Sequence, residues 1–154
     1  MPQFAANLTL MYTELPFLQR FAAAAADGFT AVEYLFPYAY PAAELAARLQ
    51  GNGLQQVLFN APPAGMDLAA MAAAWDAGER GTAALPGRAA EFRPGVLQAL
   101  DYAQALACPR IHLMQGLAPV GAAHAVLPQQ CIANLRSAAQ AAVQCGWGVL
   151  NEPI

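Results

Sequence analysis

The sequence predicts an α/β fold built on parallel strands, of the (β/α)₈ barrel type rather than the doubly wound type, and three observations predict it. Short apolar runs alternate with helical patterns, five runs against four helices in 154 residues. Parallel neighbours need a crossover of a dozen or more residues, which those helices supply. The runs also close on polar residues: Phe4 to Asn7, Val32 to Glu33 and beyond, Val57 to Asn60, Ile111 to Gln115, and Gly148 to Glu152. A barrel gathers its site from the C-terminal ends of many strands. Finally, the first run leads into NLTLMYTELP without a glycine, where a doubly wound sheet usually places a Gly-rich phosphate turn.

The elements follow in order. Strand one spans 4–7, and Pro16 then opens a helix with Leu18, Phe21, Ala22 and Ala25 on one face, ended by Asp27-Gly28. Residues 31–36 are rich in β-branched and aromatic side chains and stop at Pro37, which gives strand two. Pro41 pre-sets a second helix with Leu45, Ala46 and Leu49 on its buried face, released by Gly51 and Gly53. Strand three covers 56–60, and Pro62-Pro63 can extend neither a ladder nor a helix.

Residues 61 to about 88 are the longest interruption. Ala-rich filler from Met66 to Ala74 has room for a helical turn or two, and GERGTAALPGR from Gly78 to Arg88 reads as a loop or lid. A third helix is expected over 91–107, burying Phe92, Val96, Leu100 and Ala103, with Pro94 tolerated in its first turn. Strand four covers 110–114. A fourth helix over 128–145 presents Ile132, Leu135, Ala139 and Val143 to the core, and strand five occupies 148–152, stopped by Pro153.

Composition narrows the function. Apolar residues make up 58% and charged residues 11%, against typical shares of about 45–50% and about 25%. A chain with so little charge is expected to place much of its surface against something else. The net charge of -3 and the absence of lysine argue against nucleic acid, whose phosphates need clustered cations. Cys108, Cys131 and Cys145 make no CxxC pair and suit a reducing compartment as core thiols. The N-terminus lacks a signal-peptide pattern and no apolar run is long enough to span a membrane, so a cytoplasmic protein with no membrane partner is expected.

The stretches FAANL (4–8), GFTAVEYLFPYAYP (28–41), QVLFNAPP (56–63), WDAGERGTAALPGR (75–88), CPRIHLMQG (108–116) and NEPI (151–154) resemble the hydroxypyruvate isomerase family, within the xylose-isomerase-like barrels. The resemblance runs through almost the whole chain, and the GERG and ALPGR loop is its most specific part. It implies a barrel of roughly 250 residues, of which this chain, 1–154, is the N-terminal part: about four βα units and strand five. It also implies interconversion of hydroxypyruvate and tartronate semialdehyde, or of a similar small oxo-hydroxyacid, with a divalent metal, Mg²⁺ or Mn²⁺, in many members. Two places depart from the family pattern: GMDLAAMAAA (65–74) looks inserted, and Asn151 stands where an apolar residue is usual.

Such an isomerisation moves a proton between adjacent carbons through an enediol, so it needs a base and something electrophilic on the oxygens. The resemblance makes Glu152 the acid/base and a metal ligand; the remaining ligands come from later strands and are not in this chain. Arg80 is the candidate carboxylate clamp, with Glu79 ordering the loop beside it. Asn7, Asn60 and His112 are candidates for holding substrate oxygens, while Glu33, in an apolar strand, is left between structural pairing and site duty. His124 is taken as a surface residue. The expectations are therefore a strand order 1-2-3-4-5, and a cleft shared by Asn60, His112 and Glu152 with the Gly78 to Arg88 loop at its mouth. If the chain ends at Ile154, it should be an inactive half-barrel that self-associates as a homo-oligomer.

Overall fold

The computed structural model describes residues 3–65, 67–122 and 126–152; Pro153 and His124, on which two of the expectations rest, lie outside them. Its order is β1 (Ala6–Asn7), α1 (Arg20–Ala26), β2 (Ala31–Glu33), α2 (Ala42–Gly51), β3 (Gln55–Asn60), α3 (Leu68–Asp76), α4 (Ala89–Leu106), β4 (Arg110–His112), α5 (Val126–Cys145) and β5 (Gly148–Leu150). The strands form one five-stranded sheet in the order β1-β2-β3-β4-β5, and every pairing is parallel. That is the expected wall of a barrel. Among the described residues no helix is long and apolar enough to cross a membrane.

The regular strands are shorter than the apolar runs that encode them. Single bonds carry the ladder past their ends, Leu8 N–H to the Glu33 carbonyl, Ala61 N–H to that of His112 and Leu113 N–H to that of Leu150, at 2.8 to 2.9 Å. Beyond Glu33 a side chain takes over, since the Leu35 N–H donates to Thr9 Oγ1 (2.9 Å). The polar tips therefore sit at strand exits where the ladder is giving way to loops.

Between sheet and helices lies the core. Val32, Tyr34, Phe59 and Ile111 meet Phe21, Leu45, Leu49, Val96, Leu100 and Leu106 there, and each large side chain so buried contributes about 1.5–3 kcal/mol. In α1 it is Phe21 and Ala24 that are buried, whereas Ala22, expected inside, is exposed. α2 packs on α4, and α4 on α5. α4 begins two residues before the expected start, which moves Pro94 out of the first turn and into the second. The Ala90 carbonyl loses its helical donor there.

Two elements depart further from expectation. The stretch after Gly65 is a helix, α3, capped by Asp67, whose side chain accepts from the Ala70 N–H (2.8 Å), and anchored by buried Met71. In α5 the buried residues are Cys131, Asn134, Ala138 and Ala142. Ile132 and Val143, expected inside, are 56% and 75% exposed. Small side chains let α5 approach its neighbours, and Asn134 Nδ2 donates to the Ala83 carbonyl (2.9 Å). A buried amide must have such a partner, so that bond fixes the rotation of the helix. Cys108 and Cys131 are buried thiols, as expected, but Cys145 is exposed at the end of α5.

Candidate active-site cleft

Parallel pairing puts register partners on the same face of a sheet. Asn7 is opposite Glu33, Asn60 opposite His112, and His112 opposite Leu150. With a period of two, Asn7, Glu33, Asn60, His112 and Glu152 fall on the face turned away from the helices. A cleft of about 290 Å³ opens over this face at the strand exits. Asn7, Asn60, His112 and Glu152 line it, joined by Glu33, Met114, Trp75 and Arg80.

Asn7 Nδ2 donates to Glu33 Oε1 (3.0 Å), while its Oδ1 accepts from the Thr9 N–H (3.0 Å). Glu33 pairs with Asn7 and also lines the cleft. Asn60 is fixed on three sides. Its carbonyl accepts from the Tyr38 hydroxyl (2.8 Å), its Nδ2 faces the Met114 sulfur at 3.8 Å, and its Oδ1 lies 3.0 Å from His112 Nδ1. With Oδ1 the acceptor, the proton of the imidazole is on Nδ1 and Nε2 carries a lone pair. That Nε2 is buried and has no partner among the described residues. Burial pushes the His112 pKa down, opposed by the charge of Glu152, so the neutral ring is favoured.

The Gly78 to Arg88 segment is no free lid. Residues 81–84 are buried, and the segment is stitched to the exit of β4: the Gly116 N–H donates to the Arg80 carbonyl (2.8 Å) and the Ala84 N–H to that of Gln115 (2.8 Å). Gly81 has φ +101°, and a Cβ there would lie 2.0 Å from the Met114 carbonyl oxygen. Only glycine permits that approach.

This stitching turns Arg80 into the cleft. Its Nη1 donates to the carbonyls of Trp75 (3.0 Å) and Glu79 (2.8 Å), and its Cζ stands 3.8 Å from the centroid of the Trp75 ring. Among the described residues both of its hydrogen bonds are made by Nη1, which leaves Nε and Nη2 for a ligand. Glu79 is not brought to the cleft. Arg88 takes its carboxylate at 3.0 Å and also pairs with Glu91, whose other oxygen accepts from the Gly65 N–H. Those bonds hold the Arg88 pKa up and the Glu91 pKa down, each chiefly through the other.

Glu152 is exposed at the rim. Asn151, the departure from the family pattern, positions it: Nδ2 donates to the Leu113 carbonyl and Oδ1 accepts from Gln115 Nε2, both at 2.6 Å. Among the described residues no three His, Cys, Asp or Glu side chains gather as a metal-binding group. A hard divalent cation takes about six oxygens, so these residues do not make a metal site by themselves.

Sequence reasoning missed Trp75, Arg88 and Met114. Trp75 had a signal, a lone large aromatic in Ala-rich sequence five residues before Arg80, and Arg88 had one in Glu91 at i+3; the partners of Asn60 are remote in sequence and gave none.

The fold and cleft define a sheet of barrel type with polar side chains gathered at its strand exits, and comparison with known proteins places it. The chain belongs to the xylose isomerase-like TIM barrel family, whose model matches residues 21–154. It is 55% identical over 154 residues to the 2-oxo-tetronate isomerase of Cupriavidus necator, covering all of this chain and 56% of that protein. Against the hydroxypyruvate isomerase of Escherichia coli it is 40% identical over 154 residues, again covering 100% and 56%. Its backbone matches a crystal structure described as AP endonuclease, family 2 from Brucella melitensis, with TM-score 0.91 and 45% identity, covering 100% of this chain and 56% of that one. The chain thus spans 56% of the length of these relatives.

Proposed function

We propose that the cleft is part of the active site of an isomerase for small oxo-hydroxyacids, which interconverts hydroxypyruvate and tartronate semialdehyde or the corresponding four-carbon pair. One observation carries the reading: Glu152 and Arg80 line the same small cleft. Arg80 grips the substrate carboxylate through Nε and Nη2. Asn60 and His112 hold the adjacent oxygens. Glu152 takes the proton from C3 of hydroxypyruvate, the electrons form the C2–C3 double bond of the enediol as the C3 hydroxyl proton passes to the C2 oxygen, and a proton delivered to C2 gives the aldehyde; nothing is oxidised or reduced overall. Isomerases named for two related oxo-acids at 55% and 40% identity support the substrate class. Net turnover needs a second acid/base group, so the 154-residue chain is expected to bind substrate without isomerising it.

Calorimetry of hydroxypyruvate binding tests this reading, with Arg80→Met as control. Saturable binding weakened about tenfold or more by the substitution is expected, since a charged hydrogen-bonded pair is lost. No binding, or binding indifferent to Arg80, contradicts it.

A second reading, self-association, is favoured by a different feature. Among the described residues β1 and β5 are each paired on one side only, and Ile132 and Val143 stand exposed on α5. Bare strand edges beside apolar surface invite a second copy.

A further inference from the structure

On the other side of Trp75 lies a second space, an open groove also of about 290 Å³ and almost wholly apolar, between the exit of β2 at Phe36 and Tyr38 and the α3 face bearing Leu68 and Met71. Among the described residues Trp75 alone lines both spaces. Its ring meets Phe36 edge to face, with centroids 5.0 Å apart, and Arg80 sits over it at 3.8 Å. The Trp75 carbonyl binds Arg80 as well, at 3.0 Å.

We propose that Trp75 is the positioning and size-selecting residue of the cleft. Ring and carbonyl together hold the Arg80 guanidinium with Nε and Nη2 towards the ligand, and the ring separates the cleft from the apolar groove, so that a long tail gains no apolar contact there. This rests on Arg80 acting as carboxylate clamp. A cation over an indole face is attracted by the ring quadrupole and loses little entropy on meeting a carboxylate, because it is already held. The partition acts separately. With it in place, the tail of an acid gripped by Arg80 cannot reach the apolar groove; without it, the tail has that surface to lie against, where each methylene gains affinity.

The prediction separates three variants. Wild type binds hydroxypyruvate and discriminates against 2-oxohexanoate, used as the long-tailed probe. Trp75→Ala weakens hydroxypyruvate about three- to tenfold and strengthens 2-oxohexanoate, reversing or erasing the preference. Trp75→Phe, which keeps an aromatic face and the carbonyl, restores most of both properties. A ligand-free readout accompanies these: the Arg80 side-chain NMR resonances lie upfield, shifted by the ring current, in wild type and Trp75→Phe, and return to ordinary positions in Trp75→Ala. Unshifted Arg80 resonances in wild type overturn the positioning role, and unchanged acid preference in Trp75→Ala overturns the size selection. If wild type binds neither acid, the isomerase reading and the size selection fall together, while the Arg80 resonances still decide whether Trp75 holds Arg80.

Discussion

Gly81 is the residue on which the shape of the cleft turns, because its backbone lies against that of Met114 with no room for a Cβ. Gly81→Ala should cost about 2–4 kcal/mol, combining a strained φ with a clash against backbone. Gly78 has a similar φ, +88°, with nothing within 4 Å, so Gly78→Ala should cost only about 1–2 kcal/mol. Urea midpoints of the two variants check this; equal losses would show that the contact at Gly81 is not tight. Arg88 is the second such residue. Its hydrogen bond holds the Glu91 carboxyl below its ordinary range. The folded pKa lies below the unfolded one, so the stability it contributes is present above about pH 4.3 and is lost as the pH falls through the depressed value. The urea midpoint of wild type should therefore fall more steeply between about pH 5 and about pH 3 than that of Arg88→Met. At neutral pH the substitution should cost about 1 kcal/mol, the groups being partly exposed. Parallel pH profiles would contradict the pairing. The glycine was visible in the sequence as part of a Gly-rich loop, but its contact was not, since Met114 is remote in sequence.

At the scale of the element, α5 shows where periodicity misleads. Two apolar stripes run along it, one of large residues (Ile132, Val143) and one of small ones (Ala138, Ala142) flanking Asn134. Apolar spacing favours the large stripe. The small stripe is buried because it permits close approach and lets Asn134 reach the Ala83 carbonyl. Ile132→Glu should accordingly change stability by no more than about 0.5 kcal/mol, whereas Asn134→Leu, which loses that bond and overfills a tight contact, should cost about 1–3 kcal/mol. Thermal unfolding separates them; a large loss in Ile132→Glu would restore the original face. The strands and their order were legible because apolar runs bounded by Pro and Gly survive any packing detail. α3 was only half legible, since alanine fits helix and filler alike; what settles it is the cap at Asp67.

The described residues form a parallel wall whose polar tips gather at one cleft and whose β1 and β5 edges are unpaired among those residues. On the self-association reading, light scattering should find a species larger than 16.1 kDa, and the double substitution Ile132→Glu, Val143→Glu should shift it towards monomer; a well-folded wild-type monomer would refute that reading. The polar tips were the part of the site most legible in the sequence, because Asn7, Asn60 and Glu152 each close an apolar run and His112 interrupts one. The inward turn of Arg80 and the diversion of Glu79 to Arg88 depend on contacts that no local pattern encodes. In the proposed reaction Glu152 is the base of an enediol-forming cleft, and proton abstraction requires only that half of the chemistry. Hydroxypyruvate in D₂O, followed by NMR at C3, tests it most directly. Deuterium should enter C3 faster with the chain than in buffer alone, and Glu152→Gln should return the rate to that of buffer. Exchange at the buffer rate with wild type, or equal exchange with Glu152→Gln, would contradict it.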